Sequence, residues 1–198
     1  ATDACGNVST CQFNIKVRDA QAPNAVCKDI TVDLSATING GTVTVDADEI
    51  NGGSTDNCTE PLDLELDPDF TTFTCANVGT PVNVTLTLRD NAGNSASATV
   101  QVTITDDTDP VLAGVVNRSF RTPGPDFTSA QALSGVSATD NCATGITPTV
   151  VCRDAANNVV AFPIPDTYPT GGVYPYTFTL TYTADDGNGN TATQVANL

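Results

Sequence analysis

The sequence predicts an all-β fold of tandem immunoglobulin-like β-sandwich domains, preceded by an extra strand at the N-terminus. Short runs rich in Val, Thr and Ile alternate between apolar and polar residues, and Gly, Asn, Asp and Pro separate these runs. The same order of runs and turns then recurs along the chain. No segment shows a convincing helical period of about 3.6 residues, so we expect very little helix.

A five-residue turn, D-x-x-G-N, occurs three times, beginning at Asp3, Asp90 and Asp186 with intervals of 87 and then 96 residues. Strands with apolar residues at every second position precede the second and third copies and follow the first two. Their apolar positions are Cys11, Phe13, Ile15 and Val17; Val82, Val84, Leu86 and Leu88; Ala98, Val100, Val102 and Ile104; and Tyr176, Phe178, Leu180 and Tyr182. Each turn is therefore predicted to join two strands in a hairpin that has one buried face.

Connectors that contain proline follow the first two hairpins, from Asp19 to Pro23 and from Asp106 to Pro110. Proline fixes φ and donates no backbone hydrogen bond, which suits a short, stiff junction between two sheets. We therefore expect two sandwich domains and the last hairpin strand of a further, incomplete or neighbouring one. The three parts are the N-terminal segment (1–20), the middle unit (21–108) and the C-terminal unit (109–198), which carries an insertion from Asp154 to Pro169.

The order of elements recurs within each full unit. An opening strand follows the connector, marked in the middle unit by apolar residues from Val26 to Leu34. A polar loop then ends in Asp-Asn-Cys, at Asp56-Asn57-Cys58 in the middle unit and at Asp140-Asn141-Cys142 in the C-terminal unit. The C-terminal unit is predicted to close with a last strand of its own, from Thr191 to Leu198.

These motifs together resemble the hyalin repeat family over essentially the whole chain. The resemblance is carried by Asp-Asn-Cys, then Val78-Gly79-Thr80 or Thr170-Gly171-Gly172, then the D-x-x-G-N turn, an alternating strand and D-x-x-x-P. Domains of that family look immunoglobulin-like and occur in tandem in extracellular adhesive proteins, including long bacterial surface proteins. The resemblance implies adhesion or scaffolding, and it supplies no catalytic residues.

Composition excludes several classes of function. Seven Lys and Arg against 23 Asp and Glu give a net charge of −16, which repels nucleic-acid phosphates and anionic membrane surfaces. We see no long apolar stretch and no secretory leader, so we expect no direct membrane insertion. Because the chain has no His, neither a Ser-His-Asp triad nor an imidazole metal site can form, and we expect no enzyme.

The acidic motifs predict calcium sites. In an immunoglobulin-like sandwich, the connector, the loop after the second strand and the last hairpin turn lie at the end where the chain enters. Their carboxylate and amide oxygens are hard ligands of the kind that Ca²⁺ prefers, although the same residues also serve as ordinary turn formers. The predicted ligands are Asp19, Asp56, Asn57 and Asp90 in the middle unit, and Asp106, Asp107, Asp109, Asp140, Asn141, Asp185 and Asp186 in the C-terminal unit.

Seven cysteines without His or closely spaced Cys-x-x-Cys pairs favour disulfides, and with them an oxidising, extracellular location. The simplest pairs lie within each unit, Cys58 with Cys75 and Cys142 with Cys152. Cys5 and Cys11 flank the first turn and are expected to bridge each other or the missing part of their own domain, which leaves Cys27 over. Asn-x-Ser/Thr sequons, possible glycosylation sites in an extracellular protein, are Asn7, Asn57, Asn83 and Asn117.

Two explanations stay open for the N-terminal segment. The chain is either an excerpt of a longer tandem array, or a processed subunit whose spare strand, with Phe13, Ile15 and Val17, completes the sheet of a neighbouring copy. Both predict head-to-tail association, with adjacent tandem domains in the first case and with copies of the chain in the second.

The sequence thus predicts a structural or adhesive module of an extracellular fibre, pilus-like filament or surface stalk. The alternative is an accessory module that binds glycan or protein through loops of the C-terminal unit from Ala161 to Tyr176. Tyr168 and Tyr174 are the aromatic candidates for such a ligand surface.

Overall fold

The computed structural model describes residues 1–34, 41–120, 124–165 and 177–198 of the chain. It confirms an all-β protein, since the described helices are short and the remaining regular elements are strands. The helices are α1 (Ala47–Ile50), α2 (Ser129–Leu133) and two 3-10 turns at Pro61–Asp63 and Cys75–Asn77. None of the described helices is long and apolar enough to cross a lipid bilayer.

The middle unit contains a four-stranded sheet and, facing it, a two-stranded sheet. Its strands are β1 (Ile30–Asp33), β2 (Thr42–Thr44), β3 (Glu65–Pro68), β4 (Thr72–Thr74), β5 (Val82–Arg89) and β6 (Ser95–Thr105). The larger sheet has the order β1-β6-β5-β3, in which β1 runs parallel to β6 and the other pairs are antiparallel. The smaller sheet pairs β2 with β4.

The predicted hairpin of the middle unit is confirmed and forms the centre of its core. Strands β5 and β6 pair from Val82 with Val102 to Arg89 with Ser95, on either side of the turn at Asp90. Their inward-facing residues pack against Phe73 of β4 and against Leu34, and these two side chains are 0 and 1 % exposed. Alternation therefore predicted the buried face of both strands.

The C-terminal unit also has a four-stranded and a two-stranded sheet, which surround a second core. Its strands are β7 (Val111–Ala113), β8 (Ser137–Thr139), β9 (Thr149–Arg153), β10 (Val159–Val160), β11 (Thr179–Asp185) and β12 (Thr191–Asn197). The larger sheet has the order β10-β9-β11-β12, and β7 pairs with β8. The predicted last strand is confirmed as β12, which pairs with β11 from Thr179 with Asn197 to Asp185 with Thr191.

Tyr182 lies in the second core, as the alternating pattern predicted, and its ring is fully buried. Its hydroxyl donates a hydrogen bond to the carbonyl of Ala132 at 3.1 Å, which satisfies the buried polar group. Tyr168, Tyr174 and Tyr176, proposed from the sequence for a ligand surface and a strand, lie outside the described residues, as does most of the loop from Ala161 to Tyr176.

The N-terminal segment forms its turn but does not form the predicted strand. Thr2 and Val8 bridge across the turn, whereas residues 9–23 belong to no strand. Phe13, Ile15 and Val17 are 75, 76 and 89 % exposed. Alternation identifies the apolar face of a strand, but the strand itself forms only when its backbone pairs with a neighbour. No described strand pairs with this segment.

Candidate metal centres and the junction between the units

The D-x-x-G-N turns are built by their first residue. In the middle unit, Asp90 accepts hydrogen bonds at Oδ1 from the backbone of Ala92 and Asn94, and at Oδ2 from the Asn94 side chain. Gly93 has φ of +90°, a conformation that favours glycine. The turns at Asp3 and Asp186 make the same set of bonds to Asn7 and Asn190, so the sequence repeat is a structural repeat.

A fourth copy of this turn, not recognised in the sequence, lies within the insertion of the C-terminal unit. Asp154 accepts bonds at Oδ1 from the backbone of Ala156 and Asn158, and at Oδ2 from the Asn158 side chain. Asn157 takes the glycine position, with φ of +66°. The D-x-x-N-N sequence escapes a search for D-x-x-G-N because Asn also tolerates this conformation.

In the hairpin turns of the two units, the asparagine that ends the turn also holds the connector. The Asn94 side chain reaches the carbonyl of Asp19 at 3.5 Å, and the Asn190 side chain donates to the carbonyl of Asp106 at 2.7 Å. The connector aspartate is thereby fixed beside the turn aspartate in both units. The predicted meeting of connector and hairpin at the entry end is thus present in both.

The structure brings the connector, the Asp-Asn-Cys loop and the turn together in two acidic clusters. The first cluster consists of Asp19, Asp56 and Asp90, and each of these offers an oxygen atom within 4.8 Å of the other two. Asp56 reaches it because its Oδ2 accepts bonds from the backbone of Cys58 and Thr59, which turns the loop toward the hairpin. The Thr59 hydroxyl then accepts a bond from the Asn91 backbone at 3.3 Å.

The second cluster consists of Asp106, Asp140 and Asp186, with the same separation limit of 4.8 Å. Here Asp140 Oδ1 accepts bonds from the backbone of Cys142 and Ala143, which is the counterpart of the loop around Asp56. Asp106 and Asp186 are only 4 and 9 % exposed. The two clusters therefore have the same elements, the same turns and similar burial.

Each cluster contains one or two buried carboxylate oxygens that accept no hydrogen bond from the described part of the chain. These are Asp19 Oδ2 and Asp56 Oδ1 in the first cluster and Asp140 Oδ2 in the second. A buried acceptor without a partner costs about 1–3 kcal/mol, and carboxylates this close to one another also repel. Buried carboxylate oxygens of this kind are ordinarily satisfied by an ordered water or a bound ion.

The turn aspartates are held in their charged form. Burial by itself raises the pKa of Asp90, but hydrogen bonds from the side chain and backbone of Asn94 and from the neighbouring backbone outweigh it. The pKa of Asp90 therefore lies below its usual value, and the same balance, with Asn190 as the donor, lowers the pKa of Asp186. Both clusters keep at least one ionised carboxylate under mildly acidic conditions.

The remaining predicted aspartate ligands do not belong to the two carboxylate clusters. Asn57, Asp107, Asp109 and Asp185 are exposed, and Asp185 accepts a bond from its own turn at Gly187. Asn141 lies between the units, where its side chain donates to the carbonyl of Leu34 at 2.9 Å. Its Oδ1 is buried without a partner, so it adds one more oxygen of the type found in the clusters.

The predicted pairs Cys58–Cys75 and Cys142–Cys152 are wrong, because the structure joins Cys75 to Cys142 instead. This bond connects the middle unit to the C-terminal unit, and the Cα atoms of the two residues are 5.0 Å apart. The Cys142 side chain packs against the first core, which belongs to the other unit. The Asp-Asn-Cys loop of the C-terminal unit is therefore part of the contact between the units.

Strand β6 explains why Cys58 cannot reach Cys75. Its 11 residues span about 35 Å at roughly 3.3 Å per residue. The loop that contains Cys58 is hydrogen-bonded to the turn that precedes β6. The loop that follows Cys75 forms a bridge with Ile104, near the C-terminal end of β6. The two cysteines thus lie at opposite ends of the unit. The repeat places Cys58 and Cys142 in equivalent loops of the two units.

Gly41 permits the close approach at this disulfide. A Cβ atom built on Gly41 would lie 2.6 Å from Cys75 Sγ and 3.3 Å from the Asn141 carbonyl oxygen. Its φ of +82° also favours glycine. A larger residue at this position would have to displace either the disulfide or the loop of the C-terminal unit.

The other cysteines are free in the structure. Cys5 and Cys11 are exposed and do not bridge each other, and Cys27 is half-buried. Cys152, predicted to pair with Cys142, is fully buried on β9 within the second core. Burial and the neighbouring Asp154 carboxylate raise the pKa of Cys152 to about 11, so this thiol stays protonated and unreactive.

The four sequon asparagines are all exposed, and glycosylation of them stays a prediction. Three of them have side chains engaged elsewhere: Asn7 bonds to Asp3, Asn57 to Cys58, and Asn117 accepts a bond from the Asn197 backbone. Asn83 lies on the outward face of β5, opposite the core-facing side.

Comparisons with known proteins assign no family to the chain. No family model matches, so the resemblance to the hyalin repeat family is not confirmed, and no curated protein matches either. Among solved structures, domains EC1-2 of human mucin-like protocadherin are 15 % identical, with 90 % of this chain and 98 % of that one covered and a TM-score of 0.35.

The Ig1-2 module of the Drosophila receptor protein tyrosine phosphatase DLAR is 13 % identical, with 90 and 98 % of the two chains covered and a TM-score of 0.24. The chain spans about half of protocadherin gammaB7 EC3-6 (51 % of that chain, 91 % of this one), at 15 % identity and a TM-score of 0.32. Similarity this low carries no information on the ligands or partners of the present chain.

Proposed function

We propose that this chain is part of an extracellular rod of tandem β-sandwich units, a stalk or fibre in which Ca²⁺ and disulfides hold successive units in a fixed orientation. The observation that carries the proposal is the pair of acidic clusters, each formed where the chain enters a unit and each containing buried carboxylate oxygens without partners. The function is mechanical, and it requires no active site.

Calcium fits the donor set of both clusters. The oxygens are hard ligands and the geometry is irregular, which Ca²⁺ accepts with about 6 to 8 ligands in flexible arrangements. Asp19, Asp56 and Asp90 would hold one ion, and Asp106, Asp140 and Asp186 a second. The bound ion would neutralise the repulsion between the carboxylates and give their unpartnered oxygens a partner.

The positions of the clusters support a linear arrangement. The chain enters the middle unit at the first cluster, follows β6 along the length of the unit, and passes directly into Asp106 of the second cluster. Successive sites would therefore be spaced by about 35 Å along a rod. The disulfide between Cys75 and Cys142 lies at the second of these junctions and restrains it further.

The same reasoning assigns the N-terminal segment to a preceding unit of a longer array. Its turn has the hydrogen bonds of the turn in the middle unit, and Phe13, Ile15 and Val17 correspond to Val100, Val102 and Ile104 of β6 at an interval of 87 residues. Donor-strand exchange between copies is the less favoured explanation. The C-terminal unit already pairs its own last strand, β12, along the full length of β11.

An extracellular location follows from the proposed disulfide restraint, since such bonds persist in oxidising compartments. The chain's net charge of −16 repels nucleic acid, whereas it is compatible with an array of units at a cell surface. Its partners in this proposal are the adjacent tandem units.

Calcium titration of the purified chain tests the proposal. We expect Ca²⁺ to raise the thermal midpoint in buffer that has first been cleared with a chelator. At a Ca²⁺ concentration about 100 times the Kd, the free energy of unfolding of the unit that binds it rises by roughly 2.7 kcal/mol. Isothermal calorimetry should give two sites per chain.

The variant Asp56→Asn sharpens this test because its effect should change sign with the metal. With chelator, removing one of three crowded charges leaves stability unchanged or raises it, whereas with Ca²⁺ it abolishes the stabilisation of the middle unit. Asp67→Asn removes the same charge from an exposed position on β3 and serves as the control. Equal behaviour of the two variants in Ca²⁺ would refute the proposed site.

A further inference from the structure

Cys58 and Cys142 occupy the same place in two copies of one structure. Each backbone N–H donates to the aspartate two positions earlier, Asp56 or Asp140, at 2.9 Å in both cases. Each cysteine lies beside an acidic cluster at the entry end of its unit. Cys142 forms a disulfide to the preceding unit, whereas Cys58 is exposed and free.

We propose that Cys58 forms the equivalent disulfide, to a cysteine in a sandwich unit that precedes the middle unit in the same polypeptide. This inference rests on the proposed function, which assigns residues 1–20 to that preceding unit. Cys75 lies 31 residues before the connector aspartate Asp106. No cysteine of residues 1–198 lies at the same interval before Asp19, so the proposal places the partner cysteine in the preceding unit.

A second, independent feature also points to a preceding sandwich unit. Phe13, Ile15 and Val17 present an exposed apolar row directly before the connector that carries Asp19. In the middle unit the corresponding row on β6 is covered by the rest of its own sandwich, including Cys75 and its neighbours. The unit that covers the exposed row is therefore the unit that would carry the partner of Cys58.

A second copy of this chain does not provide that partner. In a head-to-tail stack, the C-terminal unit of one copy would precede the middle unit of the next. Cys75 lies three residues before Val78-Gly79-Thr80, but the sequence has no cysteine between Arg153 and the corresponding Thr170-Gly171-Gly172. The free cysteine of the C-terminal unit, Cys152, is buried in its core.

The reaction is a two-electron oxidation. The two thiols lose two protons and two electrons and form one S–S bond, while an oxidant of the disulfide class, such as glutathione disulfide, is reduced to two thiols. Because Cys58 is exposed, a partner thiol and an oxidant can reach it. The Cys75–Cys142 bond shows that an Asp-Asn-Cys loop can adopt the geometry of a disulfide.

The test is disulfide mapping of the full-length protein isolated from its source without reduction. Free thiols are blocked with iodoacetamide, the protein is digested, and cross-linked peptides are identified by mass spectrometry. We expect the Cys58 peptide to be joined to a peptide absent from residues 1–198, and Cys75 to be joined to Cys142. A carbamidomethylated Cys58, or a bond from Cys58 to any cysteine of residues 1–198, would overturn the proposal.

The variant Cys58→Ser in the full-length protein provides a second readout. It should expose exactly one new thiol, on the upstream partner, to a maleimide dye, whereas Cys5→Ser should expose none on that peptide. Hydrogen exchange of residues 9–17 separates the two proposals. If these amides are protected while Cys58 is free, the array stands and the disulfide fails; if they are unprotected, the assignment of the preceding unit fails as well.

Discussion

The aspartate that opens each turn accepts hydrogen bonds with both of its carboxylate oxygens. In all four copies one oxygen accepts backbone N–H groups of the turn and the other accepts the amide of the asparagine four residues later. Hydrogen bonds from that asparagine lower the pKa of Asp3 and Asp154, which lie outside both clusters. The turn therefore makes the same hydrogen bonds whether or not it belongs to a cluster, and the two clusters occur where a connector and an Asp-Asn-Cys loop meet it.

Gly93 allows this turn to be tested at a single residue. Its φ is +90° and a Cβ atom there would meet nothing within 4 Å, so the backbone conformation alone decides the cost of substitution. We expect Gly93→Ala to reduce the stability of the middle unit by about 1–2 kcal/mol in urea unfolding with chelator present. Gly93→Asn should cost clearly less, because Asn157 takes this position at φ of +66°. Equal losses would mean that the left-handed backbone at Gly93 does not govern the stability of the turn.

Secondary elements were predicted well where the chain supplies its own pairing partner. The alternating runs around Asp90 and Asp186 became the hairpins β5–β6 and β11–β12 because each turn brings its two strands together. The short helices α1 and α2 escaped notice, since 4 and 5 residues are too few for a helical period, although their capping boxes, Asp46 with Glu49 and Thr128 with Gln131, are present in the sequence.

The wrong predictions, of the N-terminal strand and of the disulfide pairs, have one physical cause. A sequence pattern describes local geometry, but it does not give the distance between two segments of a unit. Residues from Cys11 to Val17 have the alternation of β6 but no described strand beside them. The cysteines were paired by closeness in sequence, although the length of β6 separates Cys58 from Cys75. The acidic clusters were predicted better, because the fold class itself brings their three segments to one end.

A matched pair of substitutions tests the status of the N-terminal segment. Phe13 is 75 % exposed and its counterpart Val100 is 2 % exposed. Phe13→Asp should change the stability of this chain by less than about 0.5 kcal/mol, whereas Val100→Asp should cost more than about 4 kcal/mol because it buries an unpaired charge. Urea unfolding measures both. A large loss with Phe13→Asp would mean that the segment packs on the middle unit and does not await a preceding one.

The whole molecule has two restraints at one junction. The Cys75–Cys142 bond and the second acidic cluster both include the loop that begins at Asp140, whose Oδ1 caps the backbone of Cys142. The disulfide limits how far the units can separate, and an ion bound by Asp106, Asp140 and Asp186 would limit how they rotate about the connector. In the rod proposed above, both restraints would be needed, since either alone leaves one motion of the junction open.

Small-angle X-ray scattering of the variant Cys75→Ser tests this division of roles. With Ca²⁺ we expect its radius of gyration to match that of the unmodified chain, because the ion still joins connector, loop and turn. After chelation the variant should become more extended, as carboxylate repulsion drives the freed units apart, whereas the unmodified chain should change little. Cys58→Ser, an exposed cysteine at the other end of the middle unit, is the control and should behave as the unmodified chain in both buffers. An extended Cys75→Ser variant in Ca²⁺ would assign the rigidity of the junction to the disulfide alone.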